Sequence, residues 1–282
     1  MALVVNTNVT SNIVQGNLTA ANSSVNKSIE RLSTGYKLNR ASDDAAGLAI
    51  SKGFEAQSRG TLVAKDNTQH GVNLLQTAEG DLDVIQDNLQ RIRDLTIQAA
   101  NGTYSTSEKA MLAQEVNARI QEIDRIASVS KFSDISLLNG STTTQLILQV
   151  GANTGGDNQL KISDALIKST ATALNGNLTK AKVDEAFKTS NGANAFIKEI
   201  DSAIDKVSGS RSKIGAYQNR LESTLSSLDV RYQNMASSLS TIQDTDVAAE
   251  AANLTKAQIL QNVSASLLAQ ANSNPSIALN LL

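Results

Sequence analysis

The chain has 282 residues, a formal net charge of −2, no Cys, no Trp, one His and one Pro. Disulfides, thiolate nucleophiles, cysteine zinc sites and multi-histidine metal sites are thereby excluded. No basic stripe indicates a nucleic-acid partner, and no apolar run approaches the ~20 residues of a membrane span. We therefore expect no enzyme, no cofactor, no metal site, no nucleic-acid partner and no membrane insertion.

The first predicted element is a helix from about Val4 to Tyr36. Asn, Ser and Thr fill most of its positions, while apolar residues recur at helical spacing. This apolar stripe consists of Leu18, Ala21, Val25, Ile29 and Leu32. Gly35 is the expected helix stop, because glycine readily adopts the left-handed conformation that follows many last turns. A polar link follows at residues 37–40.

A much longer helix is predicted from Ser42-Asp43-Asp44 to about Ala100. We expect Ser42 to be its N-cap, with the two carboxylates near the positive end of the helix dipole. Its second half carries an apolar heptad, the pattern of a coiled coil. The heptad positions are Leu75, Ala78, Leu82, Ile85, Leu89, Ile92, Thr96 and Ala99.

A third helix and a change to strand-like sequence follow. Ser105 and Glu108 have capping-box spacing, which predicts a helix start. The apolar stripe of this helix is Leu112, Val116, Ile120, Ile123 and Ala127. Residues 146–150 then alternate as a strand should, and a second short strand is predicted around residues 160–162, after a Gly- and Asn-rich loop. Residues 165–191 have no clear periodicity.

The strongest periodic signal follows residue 192: about six unbroken heptads. The a and d positions are Ile197, Ile200, Ile204, Val207, Arg211, Ile214, Gln218, Leu221, Leu225, Leu228, Tyr232, Met235, Leu239 and Ile242. Arg211 has two interpretations. It extends its charge to the edge of the bundle, which we favour, or it pairs with a carboxylate and fixes the register.

The last predicted helix opens at Asp244 and Asp246 and is expected to close at Pro275. Together the elements predict a mainly α fold: a long antiparallel helical bundle or coiled coil formed by the N- and C-terminal halves, with a small β-hairpin region in the middle. The two terminal segments carry narrow apolar stripes that would stay partly exposed even when paired. Contact with further copies would cover them, so the pattern favours polymerisation.

Segments near both ends of the sequence resemble the signatures of bacterial flagellins. The matching residues are 28–50, 74–82 and 88–95 near the start, and 255–261 and 268–272 near the end. The resemblance covers roughly residues 1–150 and 190–282. Many flagellins carry large variable outer domains, whereas this chain has almost none, so a comparatively smooth filament is expected.

The resemblance implies a structural subunit of the flagellar filament. Such a subunit would self-assemble through paired terminal helices into a hollow helical tube used for swimming motility. Residues 1–44 and 241–282 would form the inner tube and its spoke linkers, residues 45–140 and 192–240 a helical-bundle domain, and residues 141–191 a small β-rich surface excursion. The implied self-assembly residues are Leu18, Val25, Ile29, Leu32, Val247, Leu254, Ile259, Val263 and Leu267.

The resemblance also implies a location and partners. The start of the chain lacks the charged and apolar regions of a signal peptide. The resemblance implies export by the flagellar type III apparatus without a cleaved signal peptide, to the extracellular flagellum, which accounts for this start. Filament cap proteins, junction proteins and an export chaperone are implied partners, and the chaperone would contact Leu254, Ile259 and Leu267. A vertebrate Toll-like flagellin receptor would recognise Arg91, Leu95 and Glu115.

Two other classes of protein fit part of the pattern. A hook–filament junction protein of the same secretion family shares the helical ends and the export route, but it generally matches the terminal signatures more loosely. A signalling coiled coil, such as a chemoreceptor cytoplasmic hairpin, is also helical and poor in aromatic residues. It should keep strict heptads through both ends, which the β-like middle opposes. The filament subunit is favoured over both.

Overall fold

The computed structural model describes residues 7–140 and 146–279, with side chains up to residue 273 in the last helix. Predicted features in residues 1–6, 141–145 and 280–282 lie outside the described residues. The elements in chain order are α1 (Val9–Thr34), α2 (Ala45–Ala100), α3 (Thr106–Val129), β1 (Lys131–Phe132), β2 (Ile135–Ser136), β3 (Ile147–Gln149), β4 (Gln159–Lys161), α4 (Ala171–Leu174), α5 (Lys180–Ala186), α6 (Ser190–Gln243) and α7 (Val247–Leu279). The predicted mainly α fold, with its small antiparallel β-hairpin region, is confirmed.

The described chain divides into two compact units. The first contains the residues up to Ser58 together with those from Gln233 onward, and the second contains Arg59–Tyr232. In the first unit, α1 packs along α7. The second unit holds one continuous apolar core built from α2, α3, α6 and the segments between α3 and α6.

The helix ends show which local signals were interpreted correctly. The α3 capping box is confirmed, since Ser105 accepts from the Glu108 N–H while the Glu108 carboxylate accepts from the Ser105 N–H at 2.7 Å. The α2 prediction was wrong by two residues. Asp44, not Ser42, accepts from the Gly47 N–H at 2.9 Å, because Asp44 directly precedes the first helical residue.

The last helix also ends later than predicted. It continues through Pro275 to Leu279. Proline lacks the N–H that would bond to the preceding turn, so the helix passes this position with one backbone hydrogen bond fewer.

The predicted α2 heptad forms the centre of the core in the second unit, where Leu75, Leu82, Ile85, Leu89 and Ile92 are fully buried. On α6, one predicted heptad position is buried along most of the helix. Its buried members are Ile200, Val207, Ile214, Leu221, Leu228 and Met235, and only the last member, Ile242, is half-buried. The other predicted position is only half-buried, and the N-terminal half of α6 instead buries Phe196, Ala203 and Ser210.

The segment at residues 165–187 explains this rotation of the buried face, because it packs against α6. Ser210 donates to the Ala165 carbonyl, and the Phe187 and Phe196 rings meet edge to face with centroids 6.4 Å apart. Leu174, Leu178 and Val183 belong to the main core. Residues 141–191 were predicted to be β-rich, but within their described part only β3 and β4 are strands. The short helices α4 and α5 of this segment cover the core. Sequence periodicity missed α4 and α5 because they are too short to show it.

Polar pairs run along the α2–α6 interface in one antiparallel register. The pairs are Lys65–Asp229 at 2.6 Å, Glu79–Gln218 at 3.0 Å, Asp83–Arg211 at 2.7 Å and Arg93–Asp201 at 2.7 Å. The Arg211 side chain is 29% exposed and also donates to Gln86. Both interpretations of Arg211 hold in part, because the side chain reaches the exposed edge of the bundle and pairs there with Asp83, which is 57% exposed.

Two glycines of α6 should respond in opposite directions to the same substitution. A Cβ at Gly192 would lie 2.6 Å from the Ala186 carbonyl oxygen, so Gly192→Ala should cost about 1–3 kcal/mol of stability. A Cβ at Gly209 meets nothing within 4 Å, so Gly209→Ala should add about 0.5–1 kcal/mol through the helix propensity of Ala. Urea unfolding of both variants measures the difference. Equal shifts would contradict the tight contact at Gly192.

Candidate assembly surface on the terminal helix pair

The seam between α1 and α7 is built from small side chains. On α7, every seventh residue is buried: Glu250, Ala257, Ser264 and Ala271. On α1, the buried residues are Ala21, Val25 and Ser28. Small side chains at a helix contact allow the two backbones to approach closely. The seam therefore uses little of the large apolar surface that the two helices carry.

Hydrogen bonds from polar side chains to other side chains and to one backbone carbonyl fix the register of this pair along its length. Ser28 donates to Glu250 at 2.6 Å, and Gln261 donates to Asn22 at 2.6 Å. Near the other end, Asn8 donates to the Ala271 carbonyl at 2.7 Å. A shift of one helix along the other would break all of these bonds together, so one register is strongly preferred.

Among these groups, the buried carboxylate of Glu250 has the largest desolvation cost and most needs polar partners. One of its oxygens accepts from Ser28, and the other lies 3.5 Å from the Arg31 guanidinium. A buried charge needs such partners, because desolvation without them costs far more than a neutral contact. Glu250 and Arg31 therefore tie the first turns of α7 to the last turns of α1.

The links after α1 and before α7 are joined by backbone hydrogen bonds. Gly35 ends α1 in the left-handed conformation (φ 74°), as predicted. The Lys37 N–H donates to the Gln243 carbonyl at 2.7 Å, and the Thr245 N–H donates to the Gly35 carbonyl at 2.9 Å. The two links therefore run side by side as a short antiparallel ribbon.

An ion pair holds the first link against α1. The Lys27 ammonium, 2.7 Å from Asp43, lowers the pKa of that carboxyl, and a bond from the Arg40 N–H lowers it further. A lowered carboxyl pKa in the folded state adds stability above the ordinary pKa of Asp. This contribution is lost as the pH falls through the lowered value.

Most of the implied self-assembly residues lie outside the seam. Val25 is buried in it, and Leu18, Leu32 and Leu254 are half-buried at its edges. The remaining members are exposed: Ile29, Val247, Ile259, Val263 and Leu267. Sequence reasoning missed the Ala257, Ser264 and Ala271 seam because it gave weight to large apolar residues. The seven-residue spacing of small residues was the available signal.

One flank of the pair is a groove of about 710 Å³. Its α7 wall carries Leu260, Val263 and Leu267 beside polar residues, whereas its α1 wall combines small residues with the charged Lys27 and Arg31. Val263 is 48% exposed and Leu267 52%. An apolar row of this kind, left uncovered on a folded helix pair, is typical of a surface that meets another protein.

The receptor candidates separate into surface and core. Arg91 and Glu115 lie together, joined by an ion pair of 2.9 Å between α2 and α3. Leu95 is 1% exposed and belongs to the core, so its placement on the recognised surface was wrong. Leu95 follows Arg91 by about one helical turn, but its side chain lies on the face of α2 that packs into the core.

These features define a helical structural protein whose paired terminal helices leave large apolar side chains uncovered. Within the described part of the chain, no helix is long and apolar enough to cross a membrane. Residues 5–143 match the bacterial flagellin N-terminal helical region, and residues 197–282 match the bacterial flagellin C-terminal helical region. The chain belongs to the bacterial flagellin family.

Individual relatives agree over nearly the whole length. Flagellin FlaB1 of Treponema pallidum (strain Nichols) is 34% identical over 289 residues, covering 99% of this chain and 100% of the relative. A flagellin of Halalkalibacterium halodurans is 40% identical over 256 residues, or 91% of each chain. A putative flagellar hook-associated protein from Vibrio parahaemolyticus shares the fold, with a TM-score of 0.60 and 15% identity over 72% of this chain and all of that one.

Flagellins are structural subunits that homopolymerise into the flagellar filament, the extracellular part of the flagellum. The chain is therefore a filament protein and not an enzyme. The flagellin matches at both termini do not favour the alternative of a junction protein.

A large residue in the seam should force the terminal helices apart. Ala257→Leu should cost the α1–α7 pair about 1–3 kcal/mol through overpacking. Ala252→Leu makes the same change at an exposed position of α7 and should stay within about 0.5 kcal/mol of the parent. Amide hydrogen exchange in α1 and α7 reports the pairing. If both variants keep equal protection, close packing at Ala257 is not what holds the pair.

Proposed function

We propose that the chain self-assembles through its paired terminal helices into a hollow helical tube that serves swimming motility. The observation that carries this proposal is the row of Ile259, Val263 and Leu267 on α7, which is uncovered although α7 packs along α1. Burying one such side chain contributes about 1.5–3 kcal/mol. A contact that covers the whole row would therefore support a stable polymer.

Further copies of the chain are the partner that fits this surface. An open polymer needs two different faces that meet, because a face that meets its own copy closes into a dimer. Such a second face exists on α1, where Val9 and Ile13 are each 60% exposed. Apolar rows on both helices, in a pair whose own seam is complete, support contacts that continue from copy to copy.

The regional division implied by the family is part of the same proposal. Residues 1–44 and 241–282 would form the inner tube with its spokes, residues 45–140 and 192–240 the bundle layer, and residues 141–191 the outer surface. The ribbon formed by the links supports the spoke role, because its two strands are tied together at Lys37 and Thr245.

Removing the exposed row should separate assembly from folding. In the triple variant Ile259→Ser, Val263→Ser and Leu267→Ser, the seam residues are unchanged, so the α1–α7 pair should keep its amide protection. Tube formation should be lost, because the contact between copies loses about 1.5–3 kcal/mol for each side chain removed from a buried position. Electron microscopy of purified monomer after a salting-out agent gives the result.

A matched control is available on the same helix. Gln258→Ser with Asn262→Ser changes exposed polar positions of α7 and should leave tube formation intact. Long tubes from the triple variant would overturn the proposed surface. Loss of tubes from the control would show that any change in α7 prevents assembly, which also contradicts a specific apolar contact.

We infer that export and its partners follow the family pattern: type III export without a cleaved signal peptide, then contact with an export chaperone and with cap and junction proteins. Ile259 and Leu267 support a chaperone contact because they are exposed on α7. Leu254 is half-buried beside α1, so it supports that contact only while α1 is not yet paired with α7. The chaperone would thus protect the same apolar residues that later meet other copies.

We propose that the Toll-like receptor contacts Arg91 and Glu115. Leu95 would not touch the receptor and would contribute only by packing in the core beneath them. Arg91→Ala should weaken binding of the monomer to the Toll-like receptor ectodomain roughly tenfold, as for a charged interface residue. Stability should hardly change, because exposed ion pairs contribute about 0–1 kcal/mol. Arg93→Ala, which removes the pair with Asp201 instead, is the control. Surface plasmon resonance measures the affinity of each variant for the receptor ectodomain. If Arg91→Ala binds as tightly as Arg93→Ala, the proposed contact is refuted.

A further inference from the structure

Four Asn-Gly dipeptides lie in the described chain, beginning at Asn101, Asn139, Asn175 and Asn191. This dipeptide is chemically reactive, because the backbone nitrogen of the second residue can attack the side-chain carbonyl carbon of Asn. Glycine offers no Cβ to obstruct that approach. The reaction also needs freedom for the Asn side chain and for the Gly nitrogen, so the fold selects among the four sites.

Two of the four sites are held by hydrogen bonds. Asn175 donates its side-chain amide to both the carbonyl and the carboxylate of Glu199. Asn191 lies in the first turn of α6, and the Gly192 N–H donates to the Thr189 hydroxyl at 3.1 Å. In both places the amide or the attacking nitrogen is tied down.

The site at Asn139 is held by packing. Asn139 is half-buried and interacts with other residues of the chain. The Lys168 side chain lies against Gly140, close enough that a Cβ there would come within 2.6 Å of it. The neighbouring Leu138 carbonyl accepts from the Ser169 N–H at 2.8 Å, which fixes this part of the backbone.

The turn between α2 and α3 is different. Asn101 and Gly102 are both exposed, and the space around Gly102 is open. The Asn101 amide oxygen accepts from the Thr103 N–H at 3.2 Å, which turns the side chain back toward the backbone that follows it. Within the described residues, no hydrogen bond engages the Gly102 N–H.

We propose that Asn101 is a site of spontaneous deamidation in the folded chain, with water as the co-reactant. The Gly102 nitrogen forms a bond to Cγ of Asn101 and gives up its proton. The bond from Cγ to the side-chain nitrogen breaks, and that nitrogen leaves as ammonia. Water then opens the resulting cyclic imide at one of its two carbonyls, giving aspartate or isoaspartate. Either product places a carboxylate in the α2–α3 turn.

Ageing the full-length folded protein at mildly alkaline pH tests this directly. Peptide mapping by mass spectrometry follows all four sites in the same sample, and fragmentation distinguishes aspartate from isoaspartate. Conversion at Asn101 should exceed that at each of the other three sites by about tenfold or more. Gly102→Ala should slow it by roughly tenfold, because a Cβ restricts the attacking nitrogen.

The same protein in guanidinium chloride is the control for the role of the fold. All four sites have Gly as the next residue, so their rates should become similar once the chain is unfolded. Two results would overturn the proposal. One is a folded chain in which Asn101 is not the fastest site, and the other is a preference for Asn101 that persists unchanged in the denaturant.

Discussion

The close approach of α1 and α7 along a seam of small residues is the constraint on which the terminal helices depend. Because Ala257, Ser264 and Ala271 occupy the contact positions, the backbones meet without using the large side chains of α7. Those side chains are left on the outer faces. A seam of leucines would bury more apolar surface within one chain and would leave less for contact between copies.

The second unit uses the opposite solution. Its α2 and α6 heptads bury large side chains inside the chain, so the unit completes its own core. A leucine-rich interface alone tolerates sliding by a heptad, and the polar pairs from Lys65–Asp229 to Arg93–Asp201 oppose it by matching only one alignment. Exposed pairs contribute little energy each. Their main effect is therefore to select the alignment rather than to stabilise the unit.

Sequence patterns were informative where one strong local rule acted alone. The α2 heptad, the Ser105–Glu108 capping box and the stop at Gly35 all appear as predicted. The prediction failed or was incomplete where the outcome depended on partners distant in sequence. Asp83, which pairs with Arg211, lies 128 positions earlier in the chain. The burial of Leu95 and the contact at the α7 seam also depend on helices that pack from elsewhere in the chain, although the seven-residue spacing of small residues on α7 was a signal for the seam.

The paired links have a mechanical consequence. A single extended strand bends and twists freely about its backbone bonds, whereas two strands joined by cross-bonds deform only if those bonds are strained together. The Lys37–Gln243 and Thr245–Gly35 bonds join the two links in this way, so the connection that leads out of the terminal helices is stiffer than a single strand. A torque applied across this joint would have to strain both backbone bonds together, and the Lys27–Asp43 ion pair, which ties the first strand to α1, resists the same twist.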